Sequence, residues 1–220
     1  MRYVGSRCVG CGGCIGLCPT NAIHIKIEES VLKPEIDKTK CIQCNLCVRF
    51  CPVIRNVYME SCRQDIVNVV GKPIRIYTGF ASEASIRIGG ASGGVVTSLL
   101  NYLFDEKIID CAVVARQEGI IAKPFIALGK RDLKDTQGSI YFPSFMLKAL
   151  KSLLSNAENY AFVGLPCQID TLRRIECERE ELKENVKAHL GLFCNHVNEY
   201  WYVFYLTQLY KGDECYPISI

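Results

Sequence analysis

A chain of 220 residues, 49% of them hydrophobic, has enough apolar side chain for one medium domain and one small one. Its net charge of +3 is spread without a block of like sign, so it offers no footprint for nucleic acid. Its longest apolar runs, such as 108–115, fall short of the roughly 18 to 20 residues that cross a bilayer. Fourteen cysteines without a basic-then-apolar leader point to reduced thiols in a cytoplasmic protein and not to a secreted disulfide scaffold.

Eight of the fourteen cysteines stand in two copies of one pattern: Cys8, Cys11, Cys14 and Cys18-Pro19, then Cys41, Cys44, Cys47 and Cys51-Pro52. A C-x2-C-x2-C spacing lets three thiolates wrap one corner of an iron–sulfur cubane. The fourth cysteine, followed by proline, points away and ligates the cluster of the other repeat. The assignment is therefore crossed. Cluster one takes Cys8, Cys11, Cys14 and Cys51; cluster two takes Cys41, Cys44, Cys47 and Cys18. Gly10, Gly12 and Gly13 suit a backbone that bends tightly around sulfide. Structural zinc is the competing reading, but it favours two separated cysteine pairs over four-cysteine runs ending in Cys-Pro. Residues 22–36, between the repeats, read as two short strands about a polar turn. The first 60 residues resemble a bacterial two-cluster ferredoxin domain. Their eight Lys plus Arg against five Asp plus Glu offset the roughly two negative charges of each oxidised cluster with its thiolates.

Beyond residue 60 the pattern alternates. Strand-length apolar runs at 74–81, 111–116, 125–129, 160–164 and 188–193 are interleaved with helical periodicity at 93–107, 144–155, 168–184 and 199–210. The predicted fold is an α+β ferredoxin-like two-cluster module (1–60) followed by an α/β flavin-binding-type domain (61–220), largely parallel if its crossovers are regular. Ligands of such sheets bind beyond the carboxyl ends of the strands. Two turns stand out there. In GGASGGVVTSLL, Gly89, Gly90, Gly93 and Gly94 surround Ser92 ahead of a helix, where free amides suit a phosphate, or where Ser92 simply caps. In VGLPCQIDTLRRI, Cys167 falls near a helix N-terminus, a position that lowers a thiol's pKa, although an inert buried cysteine is equally ordinary.

The order ASGGVVTSLL, QGSIYFPS, GLPCQI and LGLFC, behind the two cysteine repeats, resembles the beta-subunit family of coenzyme F420 hydrogenases and dehydrogenases. The resemblance implies an oxidoreductase subunit in which FAD exchanges a hydride with coenzyme F420 or a related carrier. The two 4Fe–4S clusters then pass single electrons to or from a redox partner protein or hydrogenase/dehydrogenase subunits. It implies cofactor contacts at Ser92, Gly93, Gly94, Ser139, Tyr141 and Gln168, and a role for Cys167 beside the flavin, with Cys194 as a companion ligand of a further cluster. No catalytic residue is assigned, because hydride exchange at a flavin needs no acid or base from the protein.

Two departures from the family pattern affect these expectations. Ile140 stands where relatives carry a lysine. The chain ends at Ile220, where relatives continue with a close cysteine pair, so the C-terminal part of the pattern is expected to be absent. Cys167 and Cys194, with Cys215 a doubtful third, do not complete a further cluster alone. Cys62, Cys111 and Cys177 read as core or surface thiols, Arg174 as solvent-facing, and His24, His189 and His196 as residues without a shared spacing. Two alternatives stay open: a flavin-free ferredoxin-type carrier with a truncated docking domain, and a non-redox protein with structural zinc.

Overall fold

Strict alternation along two strands organises the larger domain. Cys111, Val113, Tyr160 and Phe162 bury into one hydrophobic cluster, and Ala112, Val114, Ala161 and Val163 bury into another. Successive strand residues point to opposite faces, so a strand buried throughout must be covered on both sides. The computed structural model of the protein describes residues 7–28, 31–54, 74–119, 121–155, 159–194, 202 and 205. It places these strands in a four-stranded sheet, β3 (Cys111–Glu118), β4 (Ile121–Ala127), β5 (Tyr160–Gly164) and β6 (Val186–Gly191), ordered β4-β3-β5-β6. The sheet is mixed: two of its three pairings, β3 with β5 and β5 with β6, are parallel, and the one at the β4 edge, β3 with β4, is antiparallel. Only residues 119 and 120 separate β3 from β4, and a link that short cannot make a parallel crossover.

Two short helices precede the sheet, α3 (Ala84–Gly89) and α4 (Val95–Asp105), and α5 (Lys130–Leu133) follows β4. Leu100 of α4 and Leu133 of α5 cover one face of the sheet. A 3-10 turn at Met146–Ala149 runs into α6 (Leu150–Ser155). Then α7 (Pro166–Glu176) and α8 (Glu180–Asn185) complete the cover of the other face. The helical pattern over 168–184 thus resolves into two helices, α7 ending in a turn at Cys177–Glu178. The strand expected over 74–81 is not formed. Those residues run without regular structure, and Ile74, Ile76, Tyr77 and Phe80 are exposed.

The ferredoxin-like module is built from α1 (Gly13–Gly16), the antiparallel hairpin β1 (Ile23–Glu28) with β2 (Val31–Ile36), and α2 (Leu46–Arg49). Its hairpin lies where the sequence places it. The module does not stand apart from the larger domain. Cys11, Leu17 and Phe50 bury into the same hydrophobic cluster as Val113, Tyr160, Phe162 and Leu172. The Leu147 amide donates to the Cys11 carbonyl at 3.0 Å, and Arg49 pairs with Glu178 at 2.6 Å. Close approach at this seam is possible because α1 presents glycines. A Cβ on Gly16 would stand 2.0 Å from the Leu147 carbonyl oxygen, and one on Gly12, whose φ is +84°, would stand 2.4 Å from that of Phe145. The helix expected at 199–210, and Cys62, His196 and Cys215, lie outside the described residues.

Candidate metal centre and the adjoining turns

The first cysteine set converges. Cys8, Cys11, Cys14 and Cys51 line one hollow between the hairpin, α1 and the turn after α2, with about 410 Å³ free of protein atoms, counting the part open to solvent. Three of its thiols come from the first repeat and the fourth from the second, as crossed ligation requires. Its walls are otherwise apolar, with Ile25, Pro34, Phe50 and Phe145 around the sulfurs. Left as thiols, these groups are hard to ionise. Burial, followed by the charges of Cys8 and Cys51, pushes Cys11 up to about 11, and burial with Cys11, Cys8 and Cys51 pushes Cys14 higher still. Cys8 is raised too, chiefly by burial. Four bare thiolates cannot share this hollow, but four thiolates around a cationic iron core can, at the cost of releasing their protons. The donor set fits a cubane.

The second set is less closed. Cys47 is raised by burial and by its neighbours Cys44 and Cys41, which joins the triplet, and Cys44 is exposed. Cys18 is not among the residues lining the first hollow. Its sulfur accepts from the Ala22 amide at 3.3 Å. Burial raises the Cys18 thiol, but the Ala22 and Thr20 hydrogen bonds and the Lys151 charge outweigh it, so its pKa is lowered. Among the described residues no three metal-binding side chains converge as tightly as a single ion needs. A cubane holds its thiolates farther apart than one ion does, because the iron–sulfide cube stands between them.

The glycine loop ahead of α4 packs on the 137–141 segment: a Cβ on Gly89 would stand 2.0 Å from the Gln137 side-chain oxygen. Gly93 and Gly94 both have positive φ, +78° and +72°, and Gly94 opens α4. Ser92 does not cap α4 through its side chain; Ser92, Ser139 and Tyr141 are each exposed. Packing also accounts for the glycines, since a Cβ on Gly93 would meet Phe80 and one on Gly94 would meet the Ile86 carbonyl.

Gln168 departs from its expected role. It is buried, and its side-chain oxygen accepts from the Leu165 amide at 2.8 Å, closing the turn between β5 and α7. Cys167 departs as well. Burial, then the charges of Cys11 and Cys194, lifts its thiol to about 12, so desolvation overrides the helix N-terminus. Cys167 is thus within electrostatic reach of both Cys11 and Cys194. Because it stays protonated, iodoacetamide at pH 8 is expected to alkylate Cys167 at least tenfold more slowly than exposed Cys177, as peptide mass spectrometry would measure. Equal rates would contradict it. Arg174 does not face solvent alone but pairs with Asp170 at 3.0 Å. His189, without a meaningful spacing in the sequence, pairs with buried Glu176 at 2.8 Å.

A two-repeat cysteine module docked on a mixed α/β domain is the architecture of an iron–sulfur protein. Residues 7–54 match the 4Fe-4S dicluster domain family, residues 76–151 match the N-terminal model of the coenzyme F420 hydrogenase/dehydrogenase beta subunit, and residues 157–212 match its C-terminal model. The chain belongs to the coenzyme F420 hydrogenase/dehydrogenase beta-subunit family. The match over 157–212 overturns the expectation that the C-terminal part of the family pattern is missing.

Among its relatives, an uncharacterized protein of Methanocaldococcus jannaschii is 31% identical over 89% of this chain and 61% of its own. One subunit of the F(420)H(2) dehydrogenase of Methanosarcina mazei is 29% identical over 85% of this chain and 53% of its own. The chain thus spans a little over half the length of these relatives. A chain of the F420-reducing NiFe hydrogenase complex from Methanosarcina barkeri shares the fold, with a TM-score of 0.55 at 23% identity over 59% of this chain and 47% of that one. Among the described residues, no helix is long and apolar enough to cross a membrane.

Proposed function

We propose that this chain is an iron–sulfur flavoprotein subunit that moves electrons between a hydride carrier, coenzyme F420 or a related molecule, and a partner redox protein, through FAD and two 4Fe–4S clusters. The observation that carries the reading is the hollow lined by Cys8, Cys11, Cys14 and Cys51, in which both repeats contribute to one centre. The names of the relatives, one from an F420H2 dehydrogenase and one a coenzyme F420 hydrogenase beta subunit, support the choice of carrier and of a multisubunit partner. When bound, FAD would supply the conversion between paired and single electrons that a hydride donor and a cubane cannot make directly.

The chain's own residues serve this flow by placement. The eight cysteines hold iron as thiolates. Phe50, Phe145 and the hairpin keep water from cluster one, and burial of this kind tunes potential. Gly93 and Gly94 at the head of the eleven-residue helix α4, with Ser92 beside them in the chain, would offer amides and a hydroxyl suited to a flavin's phosphates, and Ser139 and Tyr141 would add further hydroxyls. Gln168 shapes the neighbouring turn through its bond to the Leu165 amide.

A second reading, a flavin-free ferredoxin-type carrier, has one observation in its favour: contacts to Phe80 and Ile86 already explain the glycine loop. Anaerobic reconstitution with iron, sulfide and FAD, followed by desalting and flavin quantitation, separates the two. About one FAD per chain, with flavin absorption over the iron–sulfur bands, is expected. Iron and sulfide without retained flavin would reject the first reading for the second.

A further inference from the structure

The two cysteine repeats correspond position by position, from Cys8 with Cys41 to Cys18 with Cys51. Their backbones agree as well. Gly10 and Gln43 both have positive φ, +65° and +55°, as do Gly12 and Asn45, +84° and +59°, and each loop then enters a one-turn helix, α1 or α2. The surroundings of the two loops are opposite. Residues 10–13 are buried against the larger domain: a Cβ on Gly10 would stand 3.4 Å from Pro143, one on Gly12 2.4 Å from the Phe145 carbonyl oxygen, and one on Gly13 2.9 Å from the Thr171 methyl. Gln43, Cys44 and Asn45, the counterparts of 10–12, are exposed, and so are Ile42, at 63%, and Val48.

We propose that the 41–48 loop is the surface on which a one-electron partner protein docks, and that electrons enter or leave the chain at cluster two. The proposal rests on the cluster reading above. Repeat one is lined with glycine because a permanent neighbour lies against its backbone. Repeat two keeps the same left-handed backbone with side chains, although glycine would adopt it with less strain, and those side chains face outward. Cluster one stands at the seam, where Cys11 is buried, whereas Cys44 is exposed and Cys41 and Cys47 are half-buried. Electron tunnelling weakens steeply with distance, so the centre nearer the surface is the one a partner can reach. One electron passes between cluster two and the partner's own redox centre, one being oxidised as the other is reduced, and no bond or proton moves. Charge selects the partner. Lys38 and Lys40 are exposed in the turn that leads into Cys41, and Asp37, already bonded to Thr39 and Lys40, is the only carboxylate from residue 37 to residue 51. An apolar centre of Ile42 and Val48 beside two lysines suits a partner with an acidic rim, and a second copy of this chain would bring the same cations and be repelled.

The test uses the full chain, reconstituted anaerobically, reduced and freed of reductant. It is mixed by stopped flow with oxidised cytochrome b5, an acidic one-electron protein, or with cytochrome c, a basic one. Raising the salt to about 0.3 M is expected to slow the reaction with cytochrome b5 about tenfold and not to slow the reaction with cytochrome c, because screening removes an attraction only in the first. Lys38→Glu combined with Lys40→Glu should lower the low-salt rate with cytochrome b5 about tenfold, while the same charge change at Lys123 and Lys130 of the α/β domain should leave it near wild type. A soluble dysprosium chelate should speed the spin relaxation of the cluster kept in Cys14→Ala, cluster two, more than that of the cluster kept in Cys47→Ala. Equal effects of the two lysine pairs, or equal relaxation of the two clusters, would overturn docking at the 41–48 loop. Absence of any reducible iron–sulfide centre in the wild type would instead overturn the cluster reading on which it stands.

Discussion

Cys51→Ala is expected to remove the same paramagnetic signal as Cys14→Ala and to leave the signal that Cys47→Ala removes. The variant should retain about half its iron, roughly four atoms per chain against about eight. Cys51 lies close in sequence to Cys47 but shares its hollow with Cys8, Cys11 and Cys14, whose thiols it raises. Loss of one ligand from a four-thiolate cubane leaves an iron open to solvent, and among the described residues lining this hollow there is no further side-chain donor to take its place. Cys18→Ala gives the complement and should match Cys47→Ala. If Cys51→Ala and Cys47→Ala instead removed the same signal, ligation would run within each repeat and the crossed assignment would be wrong.

The second large effect concerns the seam between the domains. Gly16→Ala should lower the thermal midpoint of the cluster-loaded protein by about 10 °C, following a loss of about 3 kcal/mol. The added methyl would meet a backbone carbonyl, Leu147, at 2.0 Å, and a backbone segment in a shared core cannot yield as a flexible side chain can. Gly12→Ala should behave alike, because left-handed strain at φ +84° adds to contact with the Phe145 carbonyl at 2.4 Å. Gly119→Ala is the control. It has a positive φ, +62°, but nothing within 4 Å, so it should cost only about 1 kcal/mol. Differential scanning fluorimetry under anaerobic conditions reads all three. A Gly16→Ala midpoint within about 2 °C of wild type would mean that the module is not docked through α1.

These two expectations mark what the sequence could and could not disclose. The cysteine repeats were legible because ligand spacing is local: three thiolates within seven residues must share a loop. Strand β5 and the first half of β3 were legible because a strand covered on both faces is apolar throughout. The direction of β4 was also available, since Gly119 and one more residue cannot span a crossover, but the alternation of strands and helices suggested a regular parallel sheet. Residues 74–81 have the composition of a strand without a strand's partner, and no local pattern reports whether an edge is free to pair. Gln168 carried a weaker signal: three residues into a helix, it serves the turn before it as a cap does, and a side chain's engagement with its own turn is not written in the motif around it. The pairing of His189 with Glu176 joins β6 to α7, thirteen residues apart, and only the folded chain brings them together. The docking of Thr171 on Gly13 is long-range in the same way.

Native mass spectrometry of the anaerobically reconstituted protein measures the central claim most directly, because it counts inorganic atoms on the intact fold. The predicted mass exceeds that of the polypeptide by two Fe4S4 units, less the protons released from eight cysteine thiols, with any flavin as a separate increment. A species carrying zinc without sulfide, or a single Fe4S4 unit at full occupancy, would contradict it.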